Sequence, residues 1–131
     1  MTATPLKAAV IGVGSMGRHH ARVYTQISQT TLVGVADADA ATAERIATQY
    51  SVPAYTDFEA LLTEEKPDIV TVAVPTRYHH DVATHVMESG ADVLIEKPMT
   101  IKPKDAQKMA DAAKKAGKLL MVEQALRFRP E

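Results

Sequence analysis

Residues 8–17 read Ala8-Ala9-Val10-Ile11-Gly12-Val13-Gly14-Ser15-Met16-Gly17, and twenty residues past the last glycine stands Asp37. Four apolar residues run into a glycine-rich turn, and a segment of helical character follows from Ser15 to about Ser28. An apolar run that stops on glycines and resumes as helix is a strand, a tight turn and a helix in succession. The Gly-x-Gly-x-x-Gly spacing alone is a weak signal, because a turn with no ligand uses the same residues. Each glycine nevertheless has a physical task here. Gly12 permits the turn, Gly14 lets backbone approach a pyrophosphate, and Gly17 lets the helix pack closely on the strand. Free N–H groups at the helix start then bind the anion, which places Ser15 and Met16 in the same cradle. Asp37 closes the second apolar run, Leu32 to Ala36, and can accept both hydroxyls of an adenosine ribose. The plainer alternative is a loop carboxylate at a strand end.

Outward from this stretch, apolar runs keep alternating with segments of helical period. Asp39 can cap a helix in which Ala43, Ile46, Ala47 and Tyr50 form one stripe. A short strand falls at Ala54 and Tyr55. Thr56 and Glu59 have capping-box spacing ahead of Phe58, Leu61 and Leu62, and Pro67 ends that helix. Ile69 to Val74 is the strongest strand signal, uncharged and rich in β-branched residues. His80 to Glu88 is a helix stopped at Gly90, and Val93 to Ile95 a strand. A helix begins near Pro103, lined by Ala106, Met109, Ala110 and Ala113, and ends at Gly117 ahead of a last strand, Leu119 to Val122. Strand and helix in strict alternation predict a Rossmann-type α/β fold, a doubly wound parallel sheet forming a single domain over residues 1–131.

Charge narrows the ligand. Asp37 repels a 2′-phosphate by about 1 to 4 kcal/mol per unit charge at contact, depending on the local dielectric. Asp39 adds to this, and no Arg or Lys lies between Asp37 and Arg45. NAD is therefore expected in preference to NADP.

At 131 residues there is room for one domain and not for two catalytic ones. With 15 basic and 16 acidic residues the chain has no electrostatic footprint for nucleic acid or an anionic membrane. No stretch approaches the ~18 apolar residues of a membrane span, and the N-terminus has no signal-peptide run. Cysteine is absent, which removes disulfides and thiolate metal sites and leaves a cytoplasmic setting as the default expectation. The five histidines offer no metal pattern: His80 and His85 are five apart, off a common helical face. No metal is expected. His19, His20 and His80 read as helix-surface or packing residues.

Four stretches together resemble the N-terminal half of the Gfo/Idh/MocA oxidoreductases, relatives of glucose-fructose oxidoreductase and inositol 2-dehydrogenase. They are GVGSMGRHHA (Gly12 to Ala21), GVADAD (Gly34 to Asp39), VAVPTRYHHDVA (Val72 to Ala83) and GADVLIEKP (Gly90 to Pro98). The resemblance implies an NAD(P)-dependent reaction at a secondary alcohol of a sugar, inositol or nucleotide sugar. It implies that Lys97 is the active-site lysine near the nicotinamide and the reacting hydroxyl, with Glu96 beside the nicotinamide ribose. A cation there would stabilise alkoxide character as hydride leaves carbon. Without the family, Lys97 is one exposed lysine among many. The resemblance also implies that Val74, Pro75, Thr76 and His79 line the nicotinamide side. Read alone, His79 fits equally a helix-start residue bonded to local backbone.

Two departures from the family pattern stand out. Glu123-Gln124 and Arg127-Phe128-Arg129-Pro130 replace the Gly-His and Arg-Phe-Asn-Pro found in many relatives. Arg127 matches and can face the cofactor, although a surface arginine fits as well. The chain also stops at Glu131, whereas relatives continue into a C-terminal substrate domain that supplies further acid/base groups. Without that domain the expectation is NAD binding with slow or no turnover of a small-molecule sugar or cyclitol. Uncovered apolar surface then predicts a homo-oligomer, formed by exchange of the C-terminal segment. Two other readings of the same residues are a non-enzymatic NAD(H) sensor that signals through a partner, and a dehydrogenase of amino acids or imines.

Overall fold

The computed structural model describes residues 4–96 and 102–123. The elements run β1 (Leu6–Ile11), α1 (Gly17–Gln26), β2 (Thr30–Ala36), α2 (Ala40–Tyr50), β3 (Ala54–Tyr55) and α3 (Phe58–Glu65). Then come β4 (Ile69–Val72), a 3₁₀ turn (Thr76–Tyr78), α4 (His79–Glu88), β5 (Asp92–Glu96), α5 (Pro103–Ala116) and β6 (Leu120–Glu123). The strands pair in the order β3-β2-β1-β4-β5-β6, every pair parallel. This is the doubly wound α/β sheet the alternation predicts. Strand order reverses between β1 and β4, which opens a crevice at their carboxyl ends.

Alternation along β1 explains the two layers of helices. Ala8 and Val10 point to the face covered by α1 and α2, where they pack with Ala21, Tyr24, Ile46 and Ala47. Ala9 and Ile11 point to the other face, packed with Leu61 of α3, Val82 and Val86 of α4, and Met109 of α5. From Ala8 to Ile11 both faces are buried, so this part of β1 reads as a continuous apolar run in the sequence.

Several boundaries differ from the sequence expectation, each for a local reason. α1 starts at Gly17 rather than Ser15, because Gly14 to Met16 remain in the turn. β4 ends at Val72, not Val74: the Ala73 N–H still donates to the Ile11 carbonyl at 2.8 Å, but Pro75 has no N–H to extend the ladder. A 3₁₀ turn then intervenes, and α4 begins at His79. The capping box at Thr56 does not form. Asp57 caps α3 instead, its Oδ1 accepting from the Glu59 N–H at 3.0 Å. Asp39 caps α2 as expected, accepting from the Ala41 N–H at 3.1 Å. In α5 Ala110 faces solvent, and Met109 and Ala113 are the buried positions.

Candidate nucleotide site

The glycine turn sits at the carboxyl end of β1, and two of its glycines are required by contact. Gly12 has φ +91°, and a Cβ there would lie 2.8 Å from the carbonyl carbon and oxygen of Ala73. A Cβ on Gly17 would meet the Gly12 carbonyl oxygen at 1.7 Å, so α1 can lie this close to β1 only with glycine at its start. Gly14 differs: nothing lies within 4 Å of the Cβ position, and the space in front of it opens into a cleft. Arg18 donates its N–H to the Gly14 carbonyl at 3.1 Å, and His19 to the Met16 carbonyl at 3.0 Å. The N–H groups of Ser15, Met16 and Gly17 have no backbone acceptor among the described residues. An open cradle with amides ahead of a helix start fits a phosphate.

Asp37 stands at the end of β2, half-buried, and ties the neighbouring strand ends together. Its Oδ2 accepts from the Val13 N–H at 3.0 Å and its Oδ1 from the Asp39 N–H at 2.9 Å. Each carboxylate oxygen has a further lone pair, so two hydroxyls can still be accepted. The cleft of about 560 Å³ over this carboxylate is lined by Gly12, Gly14, Asp37, Thr56, Phe58 and Tyr78 among others. Its size is in the range of pockets that enclose an organic ligand. Asp39 and Asp81 also reach it, so its charge is acidic.

Across the turn lies a second cleft of about 290 Å³, lined by Ser15, Met16, Thr76, His79 and Glu96. Ala73, Val74 and Pro75 border both clefts, which together form one trough over the carboxyl ends of β1 and β4. His79 is buried, and its Nε2 donates to the Val74 carbonyl at 2.8 Å. That bond matches the local-backbone reading of His79, and the side chain borders the second cleft as well. Glu96 pairs with His20 of α1. His20 is largely buried, in line with the packing reading, and it also holds a carboxylate at the cleft wall. The sequence does contain a signal for it, because Gly17, His20, Ala21 and Tyr24 fall on one helical stripe, the buried one. Lys97 and Arg127 lie outside the described residues.

Thr56, Phe58, Tyr78 and Asp81 also line the first cleft, a role that no motif in the sequence assigns to them. Phe58 contacts the His85 ring edge-on, with 5.8 Å between centroids, which joins the cleft wall to α4. His85 Nδ1 donates to the Asp81 carbonyl at 2.8 Å, and its Nε2 lies 3.3 Å from Glu59. The backbone bond to Asp81, with Asp81, Glu59 and Glu88 charges nearby, raises the His85 pKa against a smaller lowering by burial. Tyr55 donates its hydroxyl to Glu65 at 2.5 Å, and this bond, with burial, pushes its pKa up to about 12. Among the described residues no group of three or more His, Cys, Asp or Glu is arranged to hold a metal ion, and no helix is long and apolar enough to cross a membrane.

Residues 6–124 match the family described as an oxidoreductase family with an NAD-binding Rossmann fold. The chain belongs to the Gfo/Idh/MocA oxidoreductases. Among curated members, it is 35% identical to D-glucoside 3-dehydrogenase of Escherichia coli K12, over 98% of this chain and 37% of that protein. It is 36% identical to UDP-N-acetylglucosamine 3-dehydrogenase of Acidithiobacillus ferrooxidans, over 95% of this chain and 39% of the relative. A solved structure of the latter superimposes with a TM-score of 0.85, covering 92% of this chain and 38% of that one. Biliverdin reductase of Synechocystis sp. PCC 6803, solved with biliverdin and NADP⁺, superimposes with the same TM-score at 25% identity, over 92% of this chain and 38% of that one. The chain thus spans well under half the length of these relatives.

Proposed function

We propose that this chain binds NAD(H) in preference to NADP(H) and serves as the cofactor domain of an oxidoreductase acting on a secondary alcohol of a sugar, cyclitol or nucleotide sugar. The observation that supports it best is Asp37, a carboxylate already fixed by two backbone amides at the strand end beside an open glycine cradle. Its oxygens suit ribose hydroxyls, and its charge, with Asp39 and Asp81 nearby, opposes a 2′-phosphate. The amides ahead of α1 would hold the pyrophosphate, leaving the nicotinamide half to the cleft bordered by Thr76, His79 and Glu96. The bound cofactor supplies a hydride acceptor. Lys97, the residue after Glu96, would place a cation beside the substrate oxygen as it loses its proton.

Turnover, in this proposal, needs groups beyond residues 1–131 to orient the alcohol and take its proton, with a cytoplasmic setting and self-association through the C-terminal segment. The test is a titration with NADH followed by nicotinamide fluorescence. A saturable signal, weaker with NADPH, is expected; no saturation at millimolar NADH refutes the reading. Sedimentation velocity decides self-association, with a single monomeric species as the refuting result.

A further inference from the structure

Thr71 is fully buried in the central strand β4 between Val70 and Val72, where a hydroxyl is costly unless bonded. Its Oγ1 lies 2.7 Å from the Tyr24 hydroxyl and 3.4 Å from His20 Nδ1. His20 Nε2 in turn pairs with Glu96 Oε2. A carboxylate only accepts, so Nε2 is the nitrogen that donates. In that direction each donor meets one acceptor: Tyr24 O–H to Thr71, Thr71 O–H to His20 Nδ1, and His20 Nε2–H to Glu96. The chain of bonds runs from α1 through β4 to the last residue of β5. It ends at the wall of the second cleft, and the side chains of His20 and Glu96 are only 13% and 12% exposed.

We propose that His20 is a positioning residue for the nicotinamide half of the cofactor, holding the Glu96 carboxylate in one orientation at the second cleft. The inference rests on the proposed function, since it needs a dinucleotide in the trough. Glu96 would otherwise have free rotamers on a strand end, and ordering it after the ligand arrives would weaken binding. Ring orientation sets Nε2 against Glu96 and Nδ1 against Thr71, so the carboxylate calls for the proton on Nε2 and the Thr71 hydroxyl can turn to donate to Nδ1. Neither His20 nor Glu96 lines the first cleft, and the bond His20 makes to the glycine turn is its backbone N–H to the Met16 carbonyl at 3.4 Å, which a side-chain substitution keeps, so adenosine and pyrophosphate recognition should not depend on the two side chains.

The test compares NAD⁺ with ADP, which has the adenosine and both phosphates but no nicotinamide riboside, by titration calorimetry. His20→Ala is expected to weaken NAD⁺ by about tenfold, the usual loss for one bond to a charged group, and to leave ADP unchanged. His20→Gln, whose amide can stand in for the donating Nε2, should recover part of the loss. In a Glu96→Ala background, His20→Ala should have no further effect. In the unsubstituted protein, ¹⁵N NMR should show His20 as the Nε2–H tautomer, with a signal displaced by NAD⁺ and not by ADP. Equal weakening of NAD⁺ and ADP, an undiminished effect without Glu96, or an Nδ1–H tautomer overturns the positioning role while leaving the cofactor site standing. If the unsubstituted protein binds neither nucleotide, the site reading itself fails and this role with it.

Discussion

Replacing Asp37 with Asn tests the ribose assignment through charge at nearly constant shape. The carboxylate of Asp37 accepts from two amides, those of Val13 and Asp39, and the Val13 side chain is fully buried. Asn offers one acceptor oxygen in place of two, so one amide loses its partner, at about 1–3 kcal/mol if it stays dry. For a domain of this size that is a fall in Tm of roughly 4 °C per kcal/mol. The effect on cofactor choice is separate. Removing the charge relieves a 2′-phosphate repulsion of about 1 to 4 kcal/mol, which is about 5-fold to about 1,000-fold in NADPH affinity. It also exchanges a charged acceptor for a neutral one at the ribose hydroxyls, so NADH should weaken by about tenfold. Fluorescence titrations with NADH and NADPH, at low and high salt, read the ratio, and the gain for NADPH should shrink as salt screens the site. A ratio that moves by less than about twofold, in a protein that still melts cooperatively, would refute the assignment.

Gly14→Ala and Gly17→Ala should separate binding from folding. Gly14→Ala meets no protein atom within 4 Å and should melt like the unsubstituted chain while losing at least about tenfold in NADH affinity. Gly17→Ala puts a Cβ 1.7 Å from the Gly12 carbonyl oxygen and should lose about 3 kcal/mol or more in a urea titration, because α1 must lift off β1. Thr71→Val should destabilise by about 1–3 kcal/mol, since it removes the Thr71 hydroxyl from its buried bond with Tyr24, and Thr71→Ser should recover most of that. His85, with its pKa raised in the folded state, contributes stability that is complete below its unfolded pKa of about 6.5 and fades as pH rises through the folded value. A urea series should therefore show the deficit of His85→Gln to be larger at acid than at alkaline pH. It should be small at both, because His85 is partly exposed.

The strand–turn–helix at Ala8 to Gly17 was legible because every feature of it is local: an apolar run, glycine spacing and a helical stripe lie within a few residues of one another. The position of Asp37 was legible for the same reason, being set by the end of the next apolar run. Chain segments near Pro75 were harder, since an uncharged β-branched run does not reveal where the ladder stops, and the missing N–H of proline decides it. The cap of α3 fell to Asp57 because it, not Thr56, directly precedes the first helical residue. Least legible was His20. Its partners, Thr71 and Glu96, are 51 and 76 residues away, and only the parallel order of β1, β4 and β5 brings them together. Phe58 and Tyr78 were missed for a similar reason, since they enter the cleft from connections whose course depends on the sheet.

Because Asp37 already grips the amides on both sides of it, the loop after β1 and the loop after β2 are latched to each other before any nucleotide arrives. Such a mouth needs no hinge to swing and no segment to fold. Association with a dinucleotide should then be a single-exponential encounter whose rate climbs linearly with concentration and never levels off at an opening step.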